Sequence, residues 1–148
     1  MKHLFVFTFA LLLSLSASSQ ILNPVKWSYA AKRTSKTEAI LYLKATIGDG
    51  WHIYSQSIAE GGPLKTSFSF NQAKDYKLIG KTLEPKAITK FEKSFEMNVS
   101  YFEKAVVFQQ KVKLTGAKVR IKGILEFMVC NEQQCLPPET VEFSIPVS

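Results

Sequence analysis

The feature that most constrains this chain is the alternation of apolar and polar residues with a period of two. In residues 119–129, valine, isoleucine, glycine, leucine and phenylalanine occupy every second position, while most positions between them are charged. Successive side chains of a strand point to opposite faces, so this pattern predicts a strand with one buried face. Similar alternation in 40–47, 64–70, 106–114 and 141–147 predicts further strands.

Turn signals separate these segments. Gly48-Asp49-Gly50 and Gly116 mark turns, and shorter strands are predicted at 51–54 and 76–80. Residues 81–100 are irregular and are predicted to form the longest connection. No segment sustains a helical period of 3.6, and seven to nine short strands with intervening turns are typical of a sandwich. The sequence therefore predicts an all-β chain: one immunoglobulin-like antiparallel β-sandwich domain.

The first residues have the pattern of a secretory signal peptide. A short basic start at Lys2 precedes an apolar run from Leu4 to Leu15, and small residues follow at 17–19. The apolar run is shorter than the roughly 18 residues that can cross a bilayer. We therefore expect residues 1–19 to be a signal peptide, and residues 20–148 to be the exported domain, soluble after cleavage.

The charge pattern argues against several function classes. The chain has a formal net charge of +7, but its lysines are spread along the strands and form no basic run. A solvated surface is the favoured interpretation, and no nucleic-acid partner is predicted. The sequence contains no glycine-rich phosphate loop and no evident carboxylate pair for acid–base catalysis, so no cofactor is predicted.

The chemically distinctive residues are the two cysteines, Cys130 and Cys135. In an oxidising compartment such a pair forms a disulfide by default. The bond would close a loop of six residues, which contributes roughly 2 kcal/mol to stability in the chain-entropy model. A domain of this size does not need that contribution, so both a structural and a chemical role stay open. Metal binding is not predicted, because His52 is the only histidine after the signal peptide and suits a packed or surface position better.

The segment around the cysteines resembles a known family. Cys135 is followed by Leu-Pro-Pro-Glu-Thr at 136–140, residues 49–54 read Asp-Gly-Trp-His-Ile-Tyr, and residues 101–104 read Tyr-Phe-Glu-Lys. These motifs are similar to those of the amino-terminal periplasmic domain of the thiol:disulfide interchange protein DsbD. The resemblance covers most of the exported chain, from about residue 25 to residue 147.

This resemblance implies an immunoglobulin-like domain in the periplasm that relays reducing equivalents. A membrane-embedded DsbD-like electron donor would reduce the cysteine pair. The pair would then reduce periplasmic thioredoxin-like proteins, including disulfide isomerases and cytochrome c maturation factors. By position, Cys135 would exchange with the partner and Cys130 would resolve the mixed disulfide. The domain would thus act as a thiol:disulfide oxidoreductase of the protein-disulfide reductase type.

The family also shields its cysteines with an aromatic ring on a cap loop. The irregular stretch 81–100 is the candidate for this loop, with Phe91 or Phe95 as the ring. No lysine or arginine lies between Cys130 and Thr140, so activation of a thiol has to come from residues distant in sequence or from the partner. The alternative function is a non-redox immunoglobulin-like binding or structural module, in which the disulfide only braces a loop.

Overall fold

A computed structural model describes residues 22–148 of the chain. The predicted signal peptide, residues 1–19, and the predicted first residue of the exported chain, Gln20, lie outside the described residues. The described part is all-β and contains no apolar helix of membrane-spanning length. Its strands are β1 Val25–Arg33, β2 Glu38–Ile47, β3 His52–Tyr54, β4 Ser67–Phe70, β5 Tyr76–Leu83, β6 Ile88–Glu92, β7 Met97–Glu103, β8 Ala105–Leu114, β9 Val119–Phe127, β10 Val129–Cys130 and β11 Glu139–Val147.

Two antiparallel sheets enclose the main core. One has the strand order β1-β2-β8-β5 and the other β11-β9-β4. The alternation predicted from the sequence is observed in both, since every second side chain of β2, β8 and β9 is buried and the intervening ones face outward. The largest fully buried core side chains include Leu41, Leu43, Phe108, Ile121, Leu125, Phe127 and Ile145. The predicted all-β, immunoglobulin-like sandwich is confirmed.

A third sheet, with the order β10-β3-β7-β6, extends from one end of the sandwich. Two strands of the third sheet continue strands of the main sheets. β10 follows β9 after an interruption at Met128, and β7 leads into β8 through Lys104, which has a φ of 62°. The inner face of the third sheet contributes Ile53, Phe102 and Val129 to the main core. The opposite face of the third sheet is therefore available for a functional site.

The structure corrects the prediction for residues 81–100. Instead of one long connection, they contain the end of β5, all of β6 and the start of β7, and β6 and β7 form an antiparallel hairpin. The prediction was wrong because β6 is an edge strand whose side chains are almost all exposed. Such a strand has no buried face and hence no apolar alternation to read. The strand predicted over 119–129 is likewise divided into β9 and β10.

Candidate functional site

The two cysteines lie at the tip of a tight hairpin that continues from β10. Cys130 and Cys135 form an isolated antiparallel bridge, with their Cα atoms 4.0 Å apart and their sulfur atoms joined in a disulfide. The flanking backbone hydrogen bonds run from Asn131 N–H to Gln134 C=O and from Leu136 N–H to Val129 C=O, both 2.9 Å long. The cysteines thus occupy the non-hydrogen-bonded position of the ladder, where opposite side chains approach most closely. Pairing of the two cysteines is confirmed.

The loop between the cysteines is held by its first residue. The side-chain carbonyl of Asn131 accepts hydrogen bonds from the backbone N–H groups of Gln133 and Gln134, at 2.9 and 2.8 Å. This is an Asx turn, in which a short amide side chain replaces a backbone acceptor. The turn therefore constrains the loop in addition to the disulfide bond.

The two sulfur-bearing residues differ sharply in burial. Cys130 is only 1% exposed, whereas Cys135 is exposed at the surface. The alternation of side chains along β10 explains the burial of Cys130. Val129 points into the main core, and Cys130 points to the other face of the third sheet. There Cys130 packs in a second small apolar cluster with Tyr54 and Val99. An approaching protein therefore meets Cys135 first.

An open cleft of about 520 Å³ lies against the disulfide. Both cysteines line it, and so does Phe95, which is half-buried in the turn of the β6–β7 hairpin. Phe91 does not line the cleft: it projects from β6 and is 56% exposed. The structure thus brings one of the two candidate cap residues to the cysteines and leaves the other on the surface. The remaining lining comes mainly from β3, β6, β7 and the cysteine loop.

His52 is the nearest titratable neighbour of the disulfide along the third sheet. It is the direct cross-strand partner of Cys130 on one side and of Glu103 on the other, and partners in a ladder project from the same face. Its Nε2 atom lies 3.2 Å from the Tyr54 hydroxyl, within hydrogen-bonding distance. Its ring centroid is 4.9 Å from that of Tyr101. The imidazole thus packs against the rings of Tyr54 and Tyr101 in the cleft.

The cleft is not an electropositive site. Burial lowers the pKa of His52, while the carboxylates of Glu103 and Glu92 oppose that shift and Lys90 adds to it. Burial, with a smaller contribution from Glu92, raises the pKa of Tyr54 to about 12, so this hydroxyl stays protonated. In the lining, the ammonium group of Lys90 is accompanied by the carboxylates of Glu92 and Glu103 and by a histidine that favours its neutral form. The lining does not supply the positive charge that usually makes a thiol acidic.

The sequence indicated the cysteines and the candidate cap residue Phe95, but it assigned no role in the site to three other lining residues. His52, Tyr54 and Tyr101 line the cleft. The motif at 49–54 contains the first two and the motif at 101–104 contains the third, but these motifs indicated the family and not a position beside the cysteines. His52 was expected to be a packed or surface residue and not a metal ligand, and no pattern indicated that its strand would pair with the one that ends at Cys130.

Comparison with known proteins identifies the family of this chain. Residues 18–146 match the family model described as "Thiol:disulfide interchange protein DsbD, N-terminal". No curated protein sequence matches the chain.

Solved structures show the same fold at low sequence identity. The reduced amino-terminal domain of Neisseria meningitidis DsbD is 18% identical, with a TM-score of 0.55 over 79% of this chain and 82% of that one. The DsbD domain in the N. meningitidis complex of the DsbD and PilB amino-terminal domains is 19% identical, with a TM-score of 0.54 over 84% and 87%. The amino-terminal periplasmic domain of Proteus mirabilis ScsB is 17% identical, with a TM-score of 0.60 over 85% of this chain and 47% of that one. Because the family match spans most of the chain, this protein belongs to the DsbD amino-terminal domain family.

Proposed function

We propose that this protein is a periplasmic thiol–disulfide exchange module that passes reducing equivalents through Cys130 and Cys135. Family membership and a disulfide-bonded cysteine pair support the exchange chemistry. The observation that carries the proposal is the asymmetry of the pair, with one sulfur-bearing residue exposed at an open cleft and the other buried behind it. A disulfide that only braced a loop would have no need of such a cleft.

The electron donor is a membrane-embedded DsbD-like protein, and the acceptors are exported thioredoxin-like proteins such as disulfide isomerases and cytochrome c maturation factors. The solved complex of the DsbD and PilB amino-terminal domains of N. meningitidis is a precedent for pairing of such a domain with another protein. Exposure of Cys135 at the hairpin tip gives a partner's active-site cysteine a direct approach. The periplasmic location is supported by the related periplasmic domain of ScsB.

The exchange runs through two steps, each of which makes and breaks one sulfur–sulfur bond. In the reduced module, the Cys135 thiolate attacks an acceptor disulfide, forms a mixed disulfide and releases one acceptor thiolate. The Cys130 thiolate then attacks the Cys135 sulfur, which restores the internal disulfide and releases the second acceptor thiolate. The acceptor gains two electrons, and the module loses two. A donor dithiol returns them by the reverse sequence.

The test is the redox equilibrium of the pair in defined thiol buffers, read by thiol labelling and mass spectrometry. We expect interconversion between roughly −180 and −270 mV, the range of known exchange proteins. A pair that stays oxidised well below about −300 mV would behave as a structural disulfide, and the non-redox binding module would replace this proposal.

Two single-cysteine variants separate the roles of the sulfurs. Cys130→Ala leaves Cys135 exposed and should accumulate a stable mixed disulfide with an oxidised thioredoxin-like protein. Cys135→Ala leaves only the buried Cys130 and serves as the matched control, which should form little mixed disulfide. Equal trapping by both variants, seen on non-reducing gels, would contradict the assignment of Cys135 as the attacking residue.

A further inference from the structure

The outer face of the β1-β2-β8-β5 sheet collects lysines that are dispersed in the sequence. The strand registers place Ile40 beside Lys32 and Lys111, Thr46 beside Lys26, and Lys113 beside Lys77. All the lysines of this face are exposed. They are Lys26, Lys32, Lys44, Lys77, Lys111 and Lys113. We call this surface the basic face.

The basic face holds most of the net charge of the described chain. Lys2 is the only charged residue before Leu22, so residues 22–148 carry +6 of the formal +7. The six lysines of the face are opposed by a single acid, Glu38, which forms an ion pair with Lys111 at 3.0 Å. The face therefore carries +5, and the rest of the described chain is close to neutral. Such an asymmetry orients a molecule in an electric field.

Between the lysines the face is partly apolar. The side chains of Ile40, Tyr42, Ile79 and Val107 point outward and are half-buried among their neighbours. Long lysine side chains lie over such apolar surface with their ammonium groups in water. The basic face thus presents separated ammonium groups with apolar surface between them, and it contains no arginine.

We infer that the basic face docks on the surface of a bilayer that contains anionic phospholipids. Charge complementarity selects an anionic occupant, because five net positive charges lie on one sheet surface. The residue types favour lipid headgroups over an acidic protein. Protein interfaces are enriched in arginine and depleted in lysine, and arginine provides the planar fork that binds carboxylates in pairs. Lysine acts as a hydrated point charge, which suits the diffuse attraction of a headgroup layer.

This docking leaves the cysteine site open. The residues that line the disulfide cleft come from the third sheet and its loops, and none of them belongs to the basic face. A molecule bound through the basic face still presents Cys135 to a partner. The inference goes beyond the proposed exchange function and does not depend on it, because a redox-inert pair would leave the charge of the face unchanged.

Co-sedimentation with vesicles tests the inference on residues 20–148, which contain every described strand. The vesicles contain equal parts of phosphatidylglycerol and phosphatidylcholine, or phosphatidylcholine alone. We expect binding to the first at low salt, loss of that binding as ionic strength rises, and no binding to the second. Each lysine near an anionic surface contributes roughly a fivefold gain in affinity, so Lys26→Gln/Lys44→Gln/Lys77→Gln should weaken binding about a hundredfold.

The matched control removes three exposed lysines outside the face, Lys65→Gln/Lys118→Gln/Lys122→Gln, and therefore has the same net charge. It should retain most of the wild-type affinity. Equal weakening of both triple variants would show that only net charge matters and would overturn the basic face as the docking surface. Absence of vesicle binding would overturn the inference as well. Binding of heparin or an acidic protein through the same three lysines, without binding to vesicles, would mean that the partner is a soluble polyanion. That result would overturn the inference.

Discussion

Phe95 is the single residue whose position most directly bears on access to the disulfide. Its half-buried ring lines the cleft beside the cysteines, while Phe91 on the same hairpin is largely exposed. If Phe95 shields the sulfur atoms, Phe95→Ala should raise the rate of reduction of the disulfide by dithiothreitol several-fold. Phe91→Ala is the matched control and should leave the rate unchanged. The measurement is stopped-flow or quenched labelling of the released thiols, and an unchanged rate in Phe95→Ala would remove its capping role.

His52 makes the stability of the domain depend on pH. Since burial lowers its pKa in the folded state, the unfolded chain binds a proton more readily between that lowered value and the ordinary value of about 6.5. The free energy of unfolding should therefore be at its full value above about pH 6.5 and should fall as the pH drops through this window. Urea denaturation at several pH values measures the effect. His52→Gln should flatten the dependence in the range just below about pH 6.5, and a slope that persisted in this variant would assign it to another group.

At the scale of single elements, Gly123 allows β4, β9 and β11 to pack closely. Gly123 lies opposite Phe70 on one side and Phe143 on the other. A Cβ atom added there would lie 2.5 Å from the Phe143 ring and would also meet the backbone carbonyl of Ser69. We expect Gly123→Ala to destabilise the domain by about 1–3 kcal/mol, the usual cost of overpacking a core.

Thermal or chemical denaturation of Gly123→Ala checks this value, and Gly116→Ala provides the matched control. A Cβ atom at Gly116 would meet nothing closer than 3.5 Å, so that substitution should change stability by less than about 0.5 kcal/mol. Equal effects of the two substitutions would mean that the contact with Phe143 does not limit packing in this region.

The elements also show which parts of the structure the sequence could predict. β2, β8 and β9 each bury one face against the main core, so the alternation of apolar and polar residues predicts them. The turn at Gly50, where φ is +78°, is predicted from its glycines. β6 buries no face, so the sequence predicts only a connection there. The period of apolar residues indicates burial of one face and not backbone hydrogen bonding. An edge strand such as β6 forms backbone hydrogen bonds without burying a face.

The sequence predicted the contiguous cysteine motif and, through the family resemblance, two candidate cap residues, but not the rest of the site. Cys130 and Cys135 lie in one loop with a recognisable motif, whereas His52 reaches the same cleft from β3 and Phe95 reaches it from the turn between β6 and β7. Their meeting depends on the register of β3 with β10 and on the β6–β7 hairpin, neither of which leaves a local pattern. The basic face was missed for the same reason, because lysines far apart in sequence become neighbours only after four strands have paired.

At the scale of the whole molecule, the disulfide and the main core are largely independent. The core lies between the two large sheets and includes Val129 but not Cys130, which packs in the separate small cluster. Asn131 and the flanking backbone hydrogen bonds constrain the hairpin tip in addition to the sulfur–sulfur bond. A module that exchanges disulfides needs this arrangement, because it has to stay folded in both redox states.

Reduction should therefore lower the free energy of unfolding by only about 2 kcal/mol, the chain-entropy value for so short a loop, and should leave the β-sheet circular dichroism spectrum unchanged. Urea denaturation with and without dithiothreitol measures the difference. The double variant Cys130→Ala/Cys135→Ala should be insensitive to the reductant, which separates loss of the bond from other effects of the thiol. Cooperative unfolding on reduction in the absence of urea would show that the bond supports the whole sandwich. A domain that lost its fold at each reduction could not present Cys135 to an acceptor, so that outcome would also count against the proposed relay.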